Sequence, residues 1–312
     1  MTPEVAITGP IYPKTQEILE REFVCHRLYE AADRAAMLAA IAPRVRALAT
    51  FGPWGADAAL IAALPKLEII SNFGVGVDAI DLAAARARGI VVTNTPGVLD
   101  DCVADTAMAL VLATLRRFPQ AERYLRAGKW AARGAYPLAT ALGGKTMGIL
   151  GLGRIGEAIA RRALAFGMKI RYHNRRRKDV PWPWDPDPVT LAANADVLVV
   201  ATPGGAETRH LVNAAVLEAL GPEGHLVNIS RGSVVDEAAL LDALKEKRIA
   251  GAGLDVFENE PNVDPRWFEL EEAVILPHVG SATVETRTAM GMLQIENLRL
   301  HFSGRPVKTP VA

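Results

Sequence analysis

This chain of 312 residues contains few cysteines and few aromatic residues, and it has no net charge. Its two cysteines, Cys25 and Cys102, lie far apart without metal-ligand spacing. They exclude a disulfide framework and favour a reducing compartment, and no metal site is expected. The 35 basic and 35 acidic residues give a formal net charge of zero. This balance argues against a nucleic-acid partner, which requires a strongly basic face.

A long apolar run is also missing. The most apolar helical stretch, near residues 104–115, contains Asp105 and is too short to cross a bilayer, so no membrane partner is expected. The segment Met1–Val5 lacks the basic flank and apolar core of a signal peptide. We therefore expect a cytoplasmic protein. Its length is sufficient for two domains, each with its own core.

Short apolar strands alternate with helices along the first third of the chain. Strands are predicted at residues 5–8, 47–51, 67–73 and 90–93, and helices at 14–22, 31–41 and 57–64. This alternation predicts a parallel sheet covered by helices on both faces. The segment Asn94-Thr-Pro-Gly97 predicts a domain boundary, because proline and glycine interrupt regular structure.

The alternation continues in the rest of the chain. Helices are predicted at residues 100–115, 120–128, 237–247 and 283–302, and strands at 147–150, 169–173, 196–201, 226–229 and 273–276. The first of these helices is apolar on most sides, which indicates burial between domains or against another subunit. The proline-rich segment 180–188, with Trp182 and Trp184, is interpreted as a surface connector. Trp130 and Tyr136 fall in a predicted loop.

A glycine-rich turn lies between a predicted strand and a predicted helix. Gly151, Gly153 and Gly156 match the pattern G-x-G-x-x-G, which in this context binds the pyrophosphate of a dinucleotide. The first glycine permits the tight turn, the second lets the backbone approach the phosphates, and the third lets the helix pack on the strand. The amino terminus of the helix then offers N–H groups to the anion.

The residues about 20 positions beyond this turn predict which dinucleotide binds. An NAD enzyme places an acidic residue there, but this chain has Asn174 followed by the basic run Arg175–Lys178. Guanidinium groups bind a ribose 2′-phosphate through charge-assisted hydrogen bonds. The pattern therefore favours NADP(H) over NAD(H). A solvated basic loop is the alternative.

A second glycine turn follows the predicted strand that ends at Phe73. It lacks the third glycine, and no helix is predicted directly after it, which disfavours a second phosphate site. We interpret the backbone N–H groups of Val75 and Gly76 as a site for a small anion such as a carboxylate. An ordinary left-handed turn is the alternative.

Three ionisable residues, Arg231, Glu260 and His278, follow successive segments of the second half. Each one alone has an ordinary explanation as a surface charge or a loop residue. The carboxyl ends of parallel strands lie at one edge of a sheet, where ligands bind. Together the three residues therefore predict a catalytic site beside the dinucleotide.

The chemistry of these side chains suits the reduction of a 2-oxo acid. Hydride transfer to a carbonyl leaves an alkoxide that needs a proton, which His278 can donate near neutral pH. Glu260 would favour the imidazolium and orient the ring. Arg231 would hold the substrate carboxylate bidentately and polarise the neighbouring carbonyl.

Five motifs in this order make the chain resemble the D-isomer-specific 2-hydroxyacid dehydrogenase family over nearly its whole length. They are Asn72–Asp78, Gly151–Gly156, Asn228–Glu237, Gly253–Pro261 and Pro277–Ala282. The resemblance implies an α/β fold with two Rossmann-like, doubly wound parallel-sheet domains and a cleft between them. The substrate-binding domain would comprise residues 1–97 and 282–312, and the dinucleotide-binding domain residues 98–281.

The resemblance also implies roles for individual residues. Arg231, with the N–H groups of Val75 and Gly76, would bind the substrate carboxylate. His278, paired with Glu260, would be the proton donor. The cofactor-binding residues would be Gly151, Gly153, Arg154, Ile155, Gly156, Asn174, Arg175, Arg176, Thr202, Pro203, Ser230, Asp255 and Gly280. Among them, Asp255 would hold the nicotinamide carboxamide.

Within the family, the residues Asn174–Arg176 and Thr95–Asp101 resemble those of NADPH-dependent glyoxylate/hydroxypyruvate reductases. This implies a small 2-oxo or 2-hydroxy acid as substrate and a homodimer joined through the cofactor domains. Trp130 and Tyr136 are candidates for reaching the partner's pocket. Two alternatives stay open: a dehydrogenase for a bulkier 2-oxo acid such as phenylpyruvate, and a dinucleotide-sensing corepressor of the same family.

Overall fold

The computed structural model describes residues 2–311, which form two compact units. Asp100–Gly280 make up the second unit, and the residues before and after this range make up the first. Each unit is built on a single parallel sheet, which confirms the predicted α/β class. No helix between residues 2 and 311 is both long and apolar enough to cross a membrane.

The first unit begins with five strands that alternate with four helices. They are β1 (Glu4–Ile7), α1 (Pro13–Glu22), β2 (Val24–Arg27), α2 (Arg34–Ile41), β3 (Val45–Phe51), α3 (Ala58–Ala63), β4 (Ile69–Phe73), α4 (Leu82–Ala87) and β5 (Val91–Thr93). The sheet order is β2-β1-β3-β4-β5, with every neighbouring pair parallel. Strand β4 is buried along its whole length, as expected for a sheet covered on both faces.

The second unit contains six strands and seven α-helices among the residues described. They are α5 (Asp100–Arg116), α6 (Phe118–Arg126), α7 (Lys129–Arg133), β6 (Thr146–Leu150), α8 (Arg154–Ala165), β7 (Lys169–His173), α9 (Pro188–Ala193), β8 (Val197–Val200), α10 (Ala214–Leu220), β9 (His225–Asn228), α11 (Glu237–Lys245), β10 (Gly251–Leu254) and β11 (Ala273–Ile275). The sheet order is β11-β10-β9-β8-β6-β7. The order reverses between β6 and β8, so their carboxyl ends flank the point where doubly wound sheets bind ligands.

Helix α5 is buried against elements of its own unit. It packs on α8 and on strands β9 and β10. A β-carbon at Gly253 in β10 would lie only 2.9 Å from Oγ1 of Thr114, so glycine lets the helix approach the strand closely. Much of the apolar surface predicted for this helix is therefore used inside the second unit.

The final helix, α12 (Val284–Phe302), belongs to the first unit and packs on β4 and α1. The buried Gln294 side chain donates from Nε2 to the backbone oxygen of Ser71 at 2.8 Å. The Ser71 hydroxyl donates in return to the backbone oxygen of Gln294 at 3.1 Å. Gly291 allows close contact with α1, because a β-carbon there would overlap the Thr15 side chain.

The structure differs from the predicted elements at several short segments. The sequence patterns do not predict β2, α4, α9 or α10, each only four to seven residues long. Trp130, expected in a loop, lies in helix α7. The segment 180–188, interpreted as a connector, is anchored to the second unit, and its Asp185 is only 2% exposed. Helix α2 begins at Arg34 rather than at residue 31, because Asp33 caps its amino terminus.

Candidate active site and cofactor site

The glycine turn lies at the switch point of the second sheet, between β6 and α8. Gly151 has a φ of +100°, and a β-carbon there would lie 2.6 Å from the backbone nitrogen of Thr202, just after β8. A β-carbon at Gly156 would lie 2.5 Å from the carbonyl oxygen of Gly151. At Gly153, nothing lies within 4 Å of that position. Two glycines therefore permit close packing, and the third leaves open space.

The amino terminus of α8 faces this space without a capping side chain. The N–H groups of its first turn, including those of Arg154 and Ile155, therefore suit a bound anion. The Arg154 side chain is 70% exposed, and its Nε donates to Oδ2 of Asp100 at 2.8 Å.

Asn174 follows β7 and directs its side chain back to the glycine turn. Its Oδ1 accepts the N–H of Leu152 at 2.6 Å, and its Nδ2 donates to the Leu152 carbonyl oxygen at 3.3 Å. Nζ of Lys178 donates to the same carbonyl at 3.1 Å. The amide of Asn174 therefore holds the turn in place, and no carboxylate stands where NAD enzymes bind the ribose.

The basic run is exposed along Arg175, Arg176 and Arg177. Arg175 forms an ion pair with Glu207, in the loop after β8, and both side chains are largely exposed. Over residues 2–311, Arg176 and Arg177 form no ion pair. Two guanidinium groups are therefore available to a phosphate.

The loops after β8 and β9 emerge at the carboxyl edge of the sheet. They carry Thr202 and Pro203 in the first case and Ser230 in the second. Asn228 organises the second loop, since its Oδ1 accepts the backbone N–H of Ser230 at 3.0 Å and the hydroxyl at 3.1 Å. Its Nδ2 donates to the backbone oxygen of Arg231 at 2.9 Å. Asn228 thereby sets the direction in which the chain leaves β9.

Arg231 lies close to the segment that leads to Glu260. A β-carbon at Gly232 would overlap the backbone of Phe257, so only glycine permits this approach. Nη1 of Arg231 donates to the backbone oxygen of Ser230 at 2.7 Å. The Arg231 charge also contributes to lowering the pKa of Glu260.

His278 and Glu260 form an ion pair in which Nδ1 and Oε2 are 2.6 Å apart. The other carboxylate oxygen accepts the N–H of Phe257 at 2.9 Å. Burial acts to raise the pKa of Glu260, but the hydrogen bond and charge of His278, with the Phe257 N–H, outweigh it and lower the pKa. Nε2 of His278 has no hydrogen-bond partner among residues 2–311. The ring is thus oriented by one nitrogen and open at the other.

Asp255, directly after β10, holds the loop that carries His278. Its carboxylate accepts the N–H groups of Val279 at 2.7 Å and Gly280 at 2.8 Å, and its backbone oxygen accepts the N–H of His278 at 2.9 Å. Burial raises the pKa of Asp255, although the two N–H groups act against this. These bonds stabilise His278 at a φ of +52°, a strained left-handed conformation of the kind found at functional sites.

In the first unit, the turn after β4 presents two adjacent backbone donors. Asn94 donates to the carbonyl oxygen of Val75, and Asn72 donates to that of Gly76, both at 2.9 Å. In the described part of the chain, the N–H groups of Val75 and Gly76 have no acceptor. The two asparagines therefore fix a turn whose N–H groups can receive an anion.

The family model for the NAD binding domain of D-isomer specific 2-hydroxyacid dehydrogenases matches residues 108–280. The chain belongs to the D-isomer-specific 2-hydroxyacid dehydrogenase family. The match spans the glycine turn, the basic run and all three ionisable residues of the candidate site, and it confirms the predicted resemblance. No cluster of three or more His, Cys, Asp or Glu side chains within residues 2–311 could hold a metal ion.

Relatives of this 2-hydroxyacid dehydrogenase cover nearly all of it. It is 49% identical to glyoxylate/hydroxypyruvate reductase A of Arabidopsis thaliana, over 98% of each chain. It is 48% identical to hydroxyphenylpyruvate reductase of Plectranthus scutellarioides, again over 98% of each chain. The crystal structure of the NADPH-dependent glyoxylate/hydroxypyruvate reductase of Sinorhizobium meliloti, in complex with NADP and malonate, matches with a TM-score of 0.94 and 49% identity. That match covers 100% of this chain and 97% of the other.

Asn228, Glu237 and Trp184 organise the candidate site of this dehydrogenase, although no sequence pattern predicted a role for them. Oε2 of Glu237 accepts the N–H of Glu258 at 3.1 Å, and Oε1 accepts the indole N–H of Trp267. Glu237 thereby anchors the segment that leads to Glu260. An asparagine at the end of a buried strand is a local signal for a turn, whereas the partners of Glu237 and Trp184 lie ten or more positions away in the chain.

Proposed function

We propose that the protein is an NADPH-dependent reductase that converts glyoxylate to glycolate and hydroxypyruvate to D-glycerate. The proposal rests on the ion pair of His278 and Glu260 and on the nearby charge of Arg231, in segments that follow strands of the sheet that carries the glycine turn. The names of the Arabidopsis and Sinorhizobium relatives support the same substrates and the same cofactor.

The residues of the second unit fit a dinucleotide that carries a 2′-phosphate. We assign the pyrophosphate to Gly151–Gly156, because Gly153 leaves space at an uncapped helix terminus. We assign the 2′-phosphate to Arg175 and Arg176. Arg175 would exchange its exposed partner Glu207 for the phosphate, and Arg176 forms no ion pair among residues 2–311. Side chains and backbone at the later strand ends would line the rest of the cofactor: Thr202, Pro203, Ser230, Asp255 and Gly280.

In the proposed reaction, the bound reduced nicotinamide supplies a hydride to the carbonyl carbon of the substrate. Arg231 binds the substrate carboxylate and polarises the neighbouring carbonyl group. His278 donates a proton from Nε2 to the carbonyl oxygen as negative charge develops on it. Glu260, hydrogen-bonded to Nδ1, holds the ring in orientation while the proton moves. The carbonyl group becomes a neutral hydroxyl group, the product keeps its carboxylate, and the imidazole regains its proton from solvent.

The first unit offers a separate candidate anion site at the N–H groups of Val75 and Gly76. We assign a carboxylate oxygen of the substrate to these two donors, because Asn72 and Asn94 hold the turn and leave the N–H groups without acceptors. Two neighbouring N–H groups suit one carboxylate better than a pyrophosphate, which uses a longer series of donors.

We further propose a homodimer joined through the second unit. Four large apolar side chains between residues 118 and 138 are 48–98% exposed: Phe118, Leu125, Trp130 and Leu138. Exposed apolar surface of this kind marks an interaction site. Light scattering should give about twice the monomer mass of 33.4 kDa, and a monomer at micromolar concentration would contradict the dimer. Trp130 and Tyr136 remain candidates for reaching the partner's active site.

A bulkier 2-oxo acid is the second candidate substrate. The 48% identity to a hydroxyphenylpyruvate reductase supports it nearly as well as the 49% identity supports the smaller acids. An aromatic 2-oxo acid presents the same carboxylate and carbonyl to Arg231 and His278. Only the pocket around the side chain of the substrate would differ.

Steady-state kinetics with glyoxylate, hydroxypyruvate and hydroxyphenylpyruvate, each with NADPH and NADH, test the proposal. We expect kcat/KM to be highest for one of the two small acids with NADPH, and roughly tenfold or more lower with NADH. Preference for hydroxyphenylpyruvate would select the second candidate. Failure to reduce any of the three acids with NADPH would refute the proposed function.

A further inference from the structure

The segment 180–188, with its two tryptophans, is built onto the edge of the second sheet. The backbone N–H of Tyr172 in β7 donates to the Pro183 oxygen at 3.0 Å, and the N–H of Asp185 donates to the Tyr172 oxygen at 2.8 Å. The buried Asp185 carboxylate accepts two hydrogen bonds from Arg171, at 2.9 and 2.6 Å. A solvated connector would not need a buried, bidentate ion pair. The segment is therefore held at a defined position beside β7.

From this position Trp184 binds Asn174, the residue that precedes the basic run. Its indole Nε1 donates to the backbone oxygen of Asn174 at 3.1 Å. Its ring also stacks on His173, with centroids 6.5 Å apart and an interplanar angle of 22°. Because the Asn174 side chain is bonded to Leu152, this residue is fixed at both its amide and its carbonyl.

The far end of the run is held by the hydroxyl of Tyr172. This oxygen accepts the backbone N–H of Lys178 at 2.8 Å and donates to the Lys178 carbonyl oxygen at 3.1 Å. Arg175, Arg176 and Arg177 thus lie on a short loop whose two ends are both tied to the sheet. Their side chains are exposed, but the backbone that aims them is constrained, which reduces the entropy lost when they bind a phosphate.

We propose that Trp184, together with the Tyr172 hydroxyl, is a positioning element that sets the preference for a 2′-phosphorylated dinucleotide. The indole does not touch the phosphate in this proposal. It holds the Asn174 carbonyl, so that the arginines that follow are presented toward the ribose at the glycine turn. The inference rests on the proposed function, specifically on the assignment of the 2′-phosphate to Arg175 and Arg176.

The test compares Trp184→Phe and Tyr172→Phe with Trp182→Phe as the matched control. The first two variants keep an aromatic ring and remove only one polar group each. Trp182 lies in the same segment, and its side chain forms no hydrogen bond among residues 2–311. Two readouts are used: the ratio of kcat/KM with NADPH to that with NADH, and the Kd values of 2′,5′-ADP and 5′-AMP.

We expect Trp184→Phe to lower the NADPH to NADH ratio roughly fivefold, with kcat at saturating NADPH unchanged. The Kd of 2′,5′-ADP should rise by the same factor, whereas the Kd of 5′-AMP should stay constant. Tyr172→Phe should act in the same direction, and Trp182→Phe should match wild type. A purely structural role would weaken both nucleotides equally and would overturn the inference, as would unchanged ratios in both test variants.

The wild-type protein separates failure of this inference from failure of the proposed function. If it binds 2′,5′-ADP no more tightly than 5′-AMP, the 2′-phosphate assignment is wrong, and the inference fails with it. If it prefers 2′,5′-ADP and the Trp184→Phe and Tyr172→Phe variants keep that preference in full, the proposed function stands and the positioning role alone is refuted.

Discussion

The two sheets of the protein share a pattern of strand order, but their switch points differ. The order reverses between β1 and β3 in the first sheet and between β6 and β8 in the second. The second switch point carries the glycine turn, with open space at Gly153. At the first, a β-carbon on Gly9 would overlap the ring of Trp54, from the loop after β3. Trp54 also stacks on Phe51, with centroids 6.2 Å apart.

The same strand order therefore gives one switch point that is filled by side chains and one that is open to a ligand. The Thr8 hydroxyl donates to the backbone oxygen of Trp54, so the loop is tied across the first switch point. Helix α1 begins only at Pro13, so no glycine-rich helix terminus follows β1 at the first switch point. Strand order therefore indicates where a ligand can bind, and the residues of the loops decide whether that place is open.

The largest expected effect concerns the His–Glu pair of the second unit. His278→Ala should lower kcat for NADPH-dependent reduction about a thousandfold, because the proton donor is removed. The Kd of NADPH should stay within about twofold of wild type, since the side chain is assigned to chemistry rather than to cofactor binding. Steady-state kinetics and fluorescence titration measure the two quantities.

The first unit supplies a matched control for this variant. His26 pairs with Glu4 at 2.7 Å, but it lies within the edge strand β2, and β1 and β3 separate this strand from β4, whose turn is assigned to the substrate. His26→Ala should leave kcat unchanged. Equal losses in the two variants, or full activity of His278→Ala, would remove His278 as the acid.

The next largest effect should come from the two switch-point glycines. Gly153→Val should weaken NADPH binding about a hundredfold with little change in Tm, because the side chain enters open space that the pyrophosphate needs. The backbone of Gly153, at φ −89° and ψ −158°, is in a region that valine adopts. Calorimetry and NADPH titration measure the outcome.

Gly9→Val should show the opposite result. The overlap with Trp54 should cost about 1–3 kcal/mol of stability, while the Kd of NADPH stays unchanged. If both variants lost stability and neither lost affinity for NADPH, the second switch point would be as closed as the first.

A smaller effect is expected from the basic run. The double variant Arg175→Ala with Arg176→Ala should lower kcat/KM for NADPH about thirtyfold, because two charge-assisted contacts to the 2′-phosphate are lost. Activity with NADH should change less than about threefold, and it serves as the internal control. Equal losses with both cofactors would show that these arginines support the fold of the loop instead.

The smallest effect is a pH dependence of stability. The pKa of Glu260 is lowered in the folded protein, so its stabilisation is fully present above the unfolded carboxyl pKa of about 4.3 and is lost as the pH falls through the lowered value. Wild type should exceed Glu260→Gln by about 1 kcal/mol in free energy of unfolding at pH 6, and the difference should shrink steadily as the pH falls below the unfolded carboxyl pKa. Urea unfolding at several pH values measures this.

Glu4 provides the counterpart in the first unit. Burial acts to raise its pKa, but hydrogen bonds from His26 and Arg44 lower it. Glu4→Gln should therefore show the same direction of pH dependence as Glu260→Gln, but without loss of activity. A constant stability difference across this pH range would contradict the assigned pKa shifts.

Much of the second unit could be predicted because its signals are local. The glycine turn depends on backbone conformations within six consecutive residues, and the helix that follows has a regular apolar face. The basic run is visible as a change of residue type at a known distance from the turn. Strand β2, by contrast, was not predicted, since its Val-Cys-His-Arg sequence lacks an alternating pattern and lies at the sheet edge.

The candidate site could be predicted only as a set of residue types. Arg231, Glu260 and His278 were selected for their chemistry and their place after successive segments. Their geometry was not predictable, because Glu260 and His278 are 18 positions apart and meet only through the fold. Within residues 2–311 the fold forms three other His–Glu pairs of the same chemistry, at His26, His210 and His301, and no local pattern distinguishes them.

Local patterns in the chain were thus sufficient to specify an α/β protein, its dinucleotide turn and the charge of the loop beside it. Only the tertiary structure shows that Trp54 fills one switch point, that Trp184 donates a hydrogen bond to Asn174, and that Asp255 accepts hydrogen bonds from the loop carrying His278. The physical reason is that backbone conformation and periodicity depend on neighbours along the chain. Contacts between distant side chains depend instead on strand order and on how the loops pack, which no short stretch of sequence encodes.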